Sequence, residues 1–106
     1  MRATRPLLIA GLACLSGCAF VPQKNLRFEE AQGKYADAMA NPAVAPFARP
    51  ELRLAAEALE RAKAARDTLD DPAVVDHRSY LARQQVAIGL EAALQRELDR
   101  DIKGLQ

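Results

Sequence analysis

The stretch Pro50-Glu51-Leu52-Arg53-Leu54-Ala55-Ala56-Glu57-Ala58-Leu59-Glu60-Arg61-Ala62-Lys63-Ala64-Ala65 decides the fold class. Proline suits the first turn of a helix, where its missing N–H has no partner to lose, and Glu51 sits beside the positive end of the helix dipole. Leu52, Ala55, Leu59 and Ala62 recur at steps of three and four and form one apolar stripe, which Leu69 extends. Ala56, Ala58, Ala64 and Ala65 raise helix propensity. Glu57 and Arg61 stand four apart, acid first, a pairing that contributes about 0.2–0.5 kcal/mol.

The chain on either side reads the same way. After this helix, Thr68 to Pro72 is a turn, in which Asp70-Asp71-Pro72 ends one helix, caps the next and starts it. A third helix is expected from Pro72 or Asp76 to about Lys103. Leu81 and Ile88 mark one of its sides. Ala87, Leu90, Leu94, Leu98 and Leu105 mark a neighbouring side, with Ile102 near it. Gly89 costs roughly 1 kcal/mol against alanine but lets another helix come close. Before Pro50, the residues Asn41 to Arg49 contain Pro42 and Pro46 and read as a connector. A first helix is expected from about Asn25 to Asn41, on Phe28, Ala31, Tyr35 and Ala38, with Met39 beside them and Glu29 and Glu30 in its first turn. The expected fold is all-α: a short helix, then a long antiparallel helical hairpin, bundle-like in all.

Composition agrees. The chain has 106 residues, of which 22 are alanine, with 5% aromatics and no tryptophan. That favours helix over a β-sandwich or barrel and is too short for a multi-domain enzyme. Formal net charge is +1, which does not suit a nucleic-acid binder. The hairpin pairs leucine with many alanines and buries little apolar area per residue against an ordering cost of roughly 1.5 kcal/mol each. Either the first helix closes a three-helix bundle, or the hairpin covers its stripe with a partner or a second copy.

The N-terminus carries an address. Arg2 and Arg5 precede the apolar run Leu7-Leu8-Ile9-Ala10-Gly11-Leu12-Ala13-Cys14-Leu15, and Ser16-Gly17-Cys18 follow. A positive start, a short apolar run and small residues before a break make a secretory signal peptide. The run is shorter than the roughly 20 residues of a transmembrane helix. Leu15-Ser16-Gly17-Cys18 resembles the bacterial lipobox, Leu-(Ala/Ser/Thr)-(Gly/Ala)-Cys. That resemblance implies a thioether-linked diacylglycerol on Cys18, which becomes an acylated new N-terminus. Two or three fatty chains, at about 0.8 kcal/mol per buried methylene, hold a protein on a membrane without any spanning helix. Ala19, where an Asp would mark inner-membrane retention, implies the outer membrane, periplasmic side. The expected division is 1–17 signal peptide, 18–24 lipidated tether and 25–106 helical domain. Cys14 leaves with the signal and Cys18 carries lipid, so no thiol is left for a disulfide or metal set. The 89 residues from Cys18 hold 13 basic and 14 acidic side chains, because Arg2 and Arg5 precede it.

Tyr35-Ala36-Asp37-Ala38, Phe47-Ala48-Arg49-Pro50-Glu51-Leu52, Ala55 to Ala65 and Tyr80-Leu81-Ala82-Arg83-Gln84-Gln85 together resemble small bacterial lipoproteins carrying domain of unknown function 4398. The common plan is a lipobox, a short helix, an Ala/Pro-Glu-Leu helix start and an alanine-rich antiparallel pair. The resemblance covers most of the chain after Cys18 and implies no catalytic residues. In relatives it implies association with an outer-membrane-protein-A-like peptidoglycan-binding domain, of which the 106 residues show no sign.

No set of side chains points to catalysis. His77 is the lone histidine and reads as a surface or helix-start residue. Asp70, Asp71 and Asp76 lack the twelve-residue calcium-loop pattern, and capping accounts for the first two. Ser79 and Tyr80 have no paired base, the glycines form no phosphate loop, and Arg78 and Arg83 are too few for a phosphate-binding face. The run Arg96-Glu97-Leu98-Asp99-Arg100-Asp101 reads as a solvated helix face. The expectation is a non-enzymatic lipoprotein of structural or protein-interaction type, with no cofactor other than its lipid and no metal. Its partners would be the membrane through the anchor and an envelope protein or a second copy, met through Leu52, Leu59, Leu81, Ile88, Leu94 and Leu98. The alternative is a binder of a small envelope ligand, a peptidoglycan fragment or lipid, for which Arg83, Gln84 and Gln85 are the candidate polar groups.

Overall fold

A computed structural model describes residues 24–105 as three helices: α1 (Leu26–Ala40), α2 (Arg49–Asp67) and α3 (Pro72–Gly104). A short 3-10 turn, Ala45–Phe47, links the first two. The expected signal peptide, lipobox and tether, up to position 23, lie outside the described residues. Among those residues there is no strand, and no helix is long and apolar enough to cross a membrane.

Local chemistry sets the ends. The Asn25 side chain accepts from the Phe28 N–H at 2.9 Å and caps α1, so one of its orphan donors is satisfied. Its amide also donates to Asp76 at 3.1 Å, tying the start of α1 to the start of α3. Asp71 caps α3 by accepting from the Ala73 N–H, ahead of Pro72. α2 ends with the Asp70 N–H donating to the Ala65 carbonyl and the Leu69 N–H to that of Arg66. This is the reversal that normally places glycine just past the helix. Here the residue is Leu69, at φ 57° and 72% exposed. Leu69 therefore does not extend the apolar stripe of α2, because a left-handed residue turns the chain away from it.

Each helix buries a seam of residues that recur at steps of three and four. α1 contributes Phe28, Ala31 and Ala38, and α2 contributes Leu52, Ala55, Leu59 and Ala62 with Ala58 and Ala65 beside them. α3 contributes Val75, Ser79, Ala82, Val86, Gly89 and Ala93, spaced alternately by four and three. Alternation of three and four is the pattern of nearly parallel helix axes packed ridge into groove. The seam on α3 is made of small residues, and the leucines expected to mark its inner sides stand outside. Tight approach selects for small size, so the larger side chains take the free faces. A Cβ added at Gly89 would lie 3.4 Å from Leu52 Cδ2 and 3.5 Å from Glu51 Cβ, which shows how closely α2 lies on α3.

Of the two arrangements open to the hairpin, the first is found: α1 closes it. Phe28 joins Ala58, Leu59, Ala62, Ala65, Val75 and Ala82 in one core cluster, and Arg66 lies 4.5 Å over its ring. A second cluster joins Ala38, Val44 and Ala48 to Leu52, Ala55, Val86 and Ala93, and Tyr35 touches both. α1 and α3 begin at the same end, as the Asn25–Asp76 bond requires, and α2 runs against both.

Candidate functional site

The six residues expected to face a partner do not form one surface. Leu52 and Leu59 are 2% and 8% exposed. They belong to the core, because they are the large residues of α2 that fill the space left by the small seam of α3. Leu81, Ile88, Leu94 and Leu98 are about half exposed. At 3.6 residues per turn, the first two lie on one side of α3 and the last two about 120° away. The exposed side that continues is Leu90, Leu94, Leu98 and Ile102, a row at steps of four along the C-terminal half of α3. Past Ala93 no residue of α3 is buried, so Leu94, Leu98 and Ile102 stand exposed along its last three turns.

The charges around the row are unevenly placed. Glu91 and Glu97 flank Leu94 at three residues on either side, and Asp101 follows Leu98 by three. The basic residues of the same segment turn inward. Arg96 donates from both guanidinium nitrogens to Glu51, at 2.9 and 2.7 Å, and also to the Phe47 carbonyl at 2.6 Å. Arg100 stacks 4.9 Å from the Phe47 ring centre. The run Arg96 to Asp101 is therefore not wholly a solvated face, because Arg96 ties α3 to Glu51 of α2 and both arginines engage Phe47 of the 3-10 turn. The Arg96 hydrogen bonds hold the Glu51 carboxyl below its usual range, against an opposing upward push from burial.

A second feature lies where α1 ends and α2 begins. Tyr35, Met39, Ala45, Pro46 and Leu52 line an apolar groove of about 500 Å³, and Arg49 and Arg53 stand on its rim. Neither arginine has a carboxylate within salt-bridge distance among the described residues. The sequence reading missed this groove because three separate elements build it. Its only linear trace is the i, i+4 pair of arginines beside the connector.

The residues considered for chemistry are dispersed. His77 is exposed. Asp71 caps α3, Asp70 accepts from the Asp71 N–H at 2.8 Å, and Asp76 accepts from Asn25. Among the described residues no group of three or more His, Cys, Asp or Glu is placed to hold a metal ion. Ser79 is buried with its hydroxyl unpartnered, and Tyr80 is half exposed. Arg83 pairs with Glu30. Arg83 and Gln84 share a shallow groove that Gln85 does not line.

No curated protein and no solved structure matches the chain. The small-residue seam, the proline-led α2 and the antiparallel α2–α3 pair all fall within residues 27–105, which match the family model described as domain of unknown function DUF4398, and the chain belongs to that family.

Proposed function

We propose that this chain is a lipid-anchored cell-envelope protein, held at the outer membrane on its periplasmic side through Cys18. Its role would be structural or protein-binding rather than catalytic. The anchor reading rests on Leu15-Ser16-Gly17-Cys18 following a basic start and a short apolar run. The observation that carries the binding role is the uncovered row Leu90, Leu94, Leu98 and Ile102. Aligned apolar exposure of this kind marks an interaction surface more often than scattered single leucines do.

The two ends of the bundle support a division of labour. The tether joins at Lys24, beside the α2–α3 turn, where Lys24, Asn25, Leu69 and Pro72 line one hollow. The leucine row occupies the C-terminal half of α3 and begins 18 residues, roughly 27 Å, from its first residue. At 1.5 Å per residue, the 33 residues of this helix put roughly 50 Å between its two ends. An anchored bundle would carry its uncovered row far from the lipid attachment. The reading as a binder of peptidoglycan fragments draws less support, since Arg83 is engaged by Glu30 and Gln85 points elsewhere.

The test is metabolic labelling with a clickable palmitate analogue, followed by membrane fractionation, of the native chain and Cys18→Ser. The expected result is label and outer-membrane sedimentation for the native chain, both lost in the variant. A native chain without label, or a variant with unchanged sedimentation, would contradict the anchor.

A further inference from the structure

We propose that the leucine row of α3 seats in the arginine-rimmed groove of a second copy of this chain. The inference rests on the protein-binding reading above and names its partner. Three observations carry it. The row is apolar with carboxylates on its border, and the basic residues of its own segment, Arg96 and Arg100, are spent on Glu51 and Phe47. The groove is apolar with Arg49 and Arg53 on its rim, neither paired with a carboxylate among the described residues.

The spacings also agree. Glu97 and Asp101 are four apart, and so are Arg49 and Arg53. Each pair spans one turn, about 6 Å of helix rise, so both ion pairs form at once. Leu94 and Leu98 are likewise four apart and match Tyr35 and Met39, which line the groove from α1. An amphipathic helix laid in a hydrophobic groove and read through such anchors is a common mode of recognition.

Charge decides against pairing like surface with like. Row against row would oppose Glu91, Glu97 and Asp101 to their own copies, and groove against groove would oppose the arginines. Only row in groove brings opposite signs together. Within one chain Leu94 and Leu98 are each 51% exposed, so the row is not seated in its own groove. Made one way only, such a contact builds chains or rings; made reciprocally across a two-fold axis, it closes a pair.

The test uses two full-length copies with different epitope tags, expressed together, one carrying Met39→Cys and the other Leu98→Cys. Intact cells are treated with a short permeant bis-maleimide, and copies with no added cysteine set the background. The expected product is a mixed-tag dimer, with little product between copies carrying the same substitution. Arg49→Glu with Arg53→Glu in the first copy lowers the mixed product at least tenfold. Adding Glu97→Arg with Asp101→Arg to the second copy restores it, which shows that the reversed copies still fold. No mixed product, equal product between like copies, survival of the first reversal, or failure of the second to restore would each overturn the proposal. Fractionation of the same cells locates the chain independently, so absent cross-links in an envelope-bound chain refute the pairing and leave the anchor standing.

Discussion

Phe28→Ala is the sharpest test of the packing. Phe28 is 2% exposed and is the largest side chain in the core cluster that joins α1 to the hairpin. Its neighbours there include Ala58, Ala62, Ala65 and Ala82, which have no rotamers with which to refill a void. Truncating a buried Phe to Ala costs about 3–5 kcal/mol. At about 0.05–0.15 kcal/mol per residue, a folded unit of the 82 described residues is stable by about 4–12 kcal/mol. The variant therefore loses between a quarter and all of its stability. With an unfolding entropy of about 2.1 cal/mol/K per residue, near 0.17 kcal/mol/K for the unit, Tm falls by about 17–29 °C. Thermal unfolding followed by circular dichroism on a soluble fragment beginning at Ala19 measures this. Leu98→Ala serves as the control and moves Tm by less than about 3 °C, since half of Leu98 is already in solvent. A drop below about 6 °C for Phe28→Ala would mean that the hairpin stands without α1, and the packing argument would fail.

Further outcomes follow from single contacts. Leu69→Gly relieves a left-handed residue whose side chain is exposed, and should raise stability by about 1 kcal/mol in urea titrations; a loss would show that the side chain packs. Ser79→Ala removes a buried hydroxyl that has no hydrogen-bond partner and should stabilise by about 1 kcal/mol on the same assay, whereas destabilisation would reveal a partner. Glu51 titrates below its usual range because Arg96 donates to it. A depressed carboxylate pKa adds stability above the unfolded-state pKa of about 4.3 and loses it as pH falls through the lower folded-state value. The stability gap between the native chain and Glu51→Gln should thus be full at pH 7 and close progressively below about pH 4. A gap that is constant with pH would refute the pairing.

Much of this fold is written locally. Pro50 with Glu51, Asn41-Pro42 and Asp70-Asp71-Pro72 place the helix limits within a residue or two of those observed, because proline and capping chemistry act over a few residues. The inner face of α3 is harder to read. Its seam of Val75, Ser79, Ala82, Val86, Gly89 and Ala93 carries a weak apolar signal, while Leu81, Ile88, Leu90, Leu94 and Leu98 carry a strong one and lie outside. Hydrophobicity scales with side-chain size, and close helix approach demands the opposite. The same conflict separates Leu52 and Leu59, which are buried, from Leu81, Ile88, Leu94 and Leu98, which are about half exposed. The groove under Arg49 and Arg53 was invisible for another reason: Tyr35, Pro46 and Leu52 come together only once α1, the 3-10 turn and α2 are packed. The stretch Leu15-Ser16-Gly17-Cys18 is the reverse case: its resemblance to a lipobox is read from four consecutive residues, without reference to any fold.

The most direct test of the account is the intact mass of the chain purified from native membranes, with fragmentation of its N-terminal peptide. The expected species begins at Cys18 and carries a thioether-linked diacylglycerol and an acylated amine. A chain that still begins at Met1, or a Cys18 with an unmodified thiol, would contradict the anchored bundle.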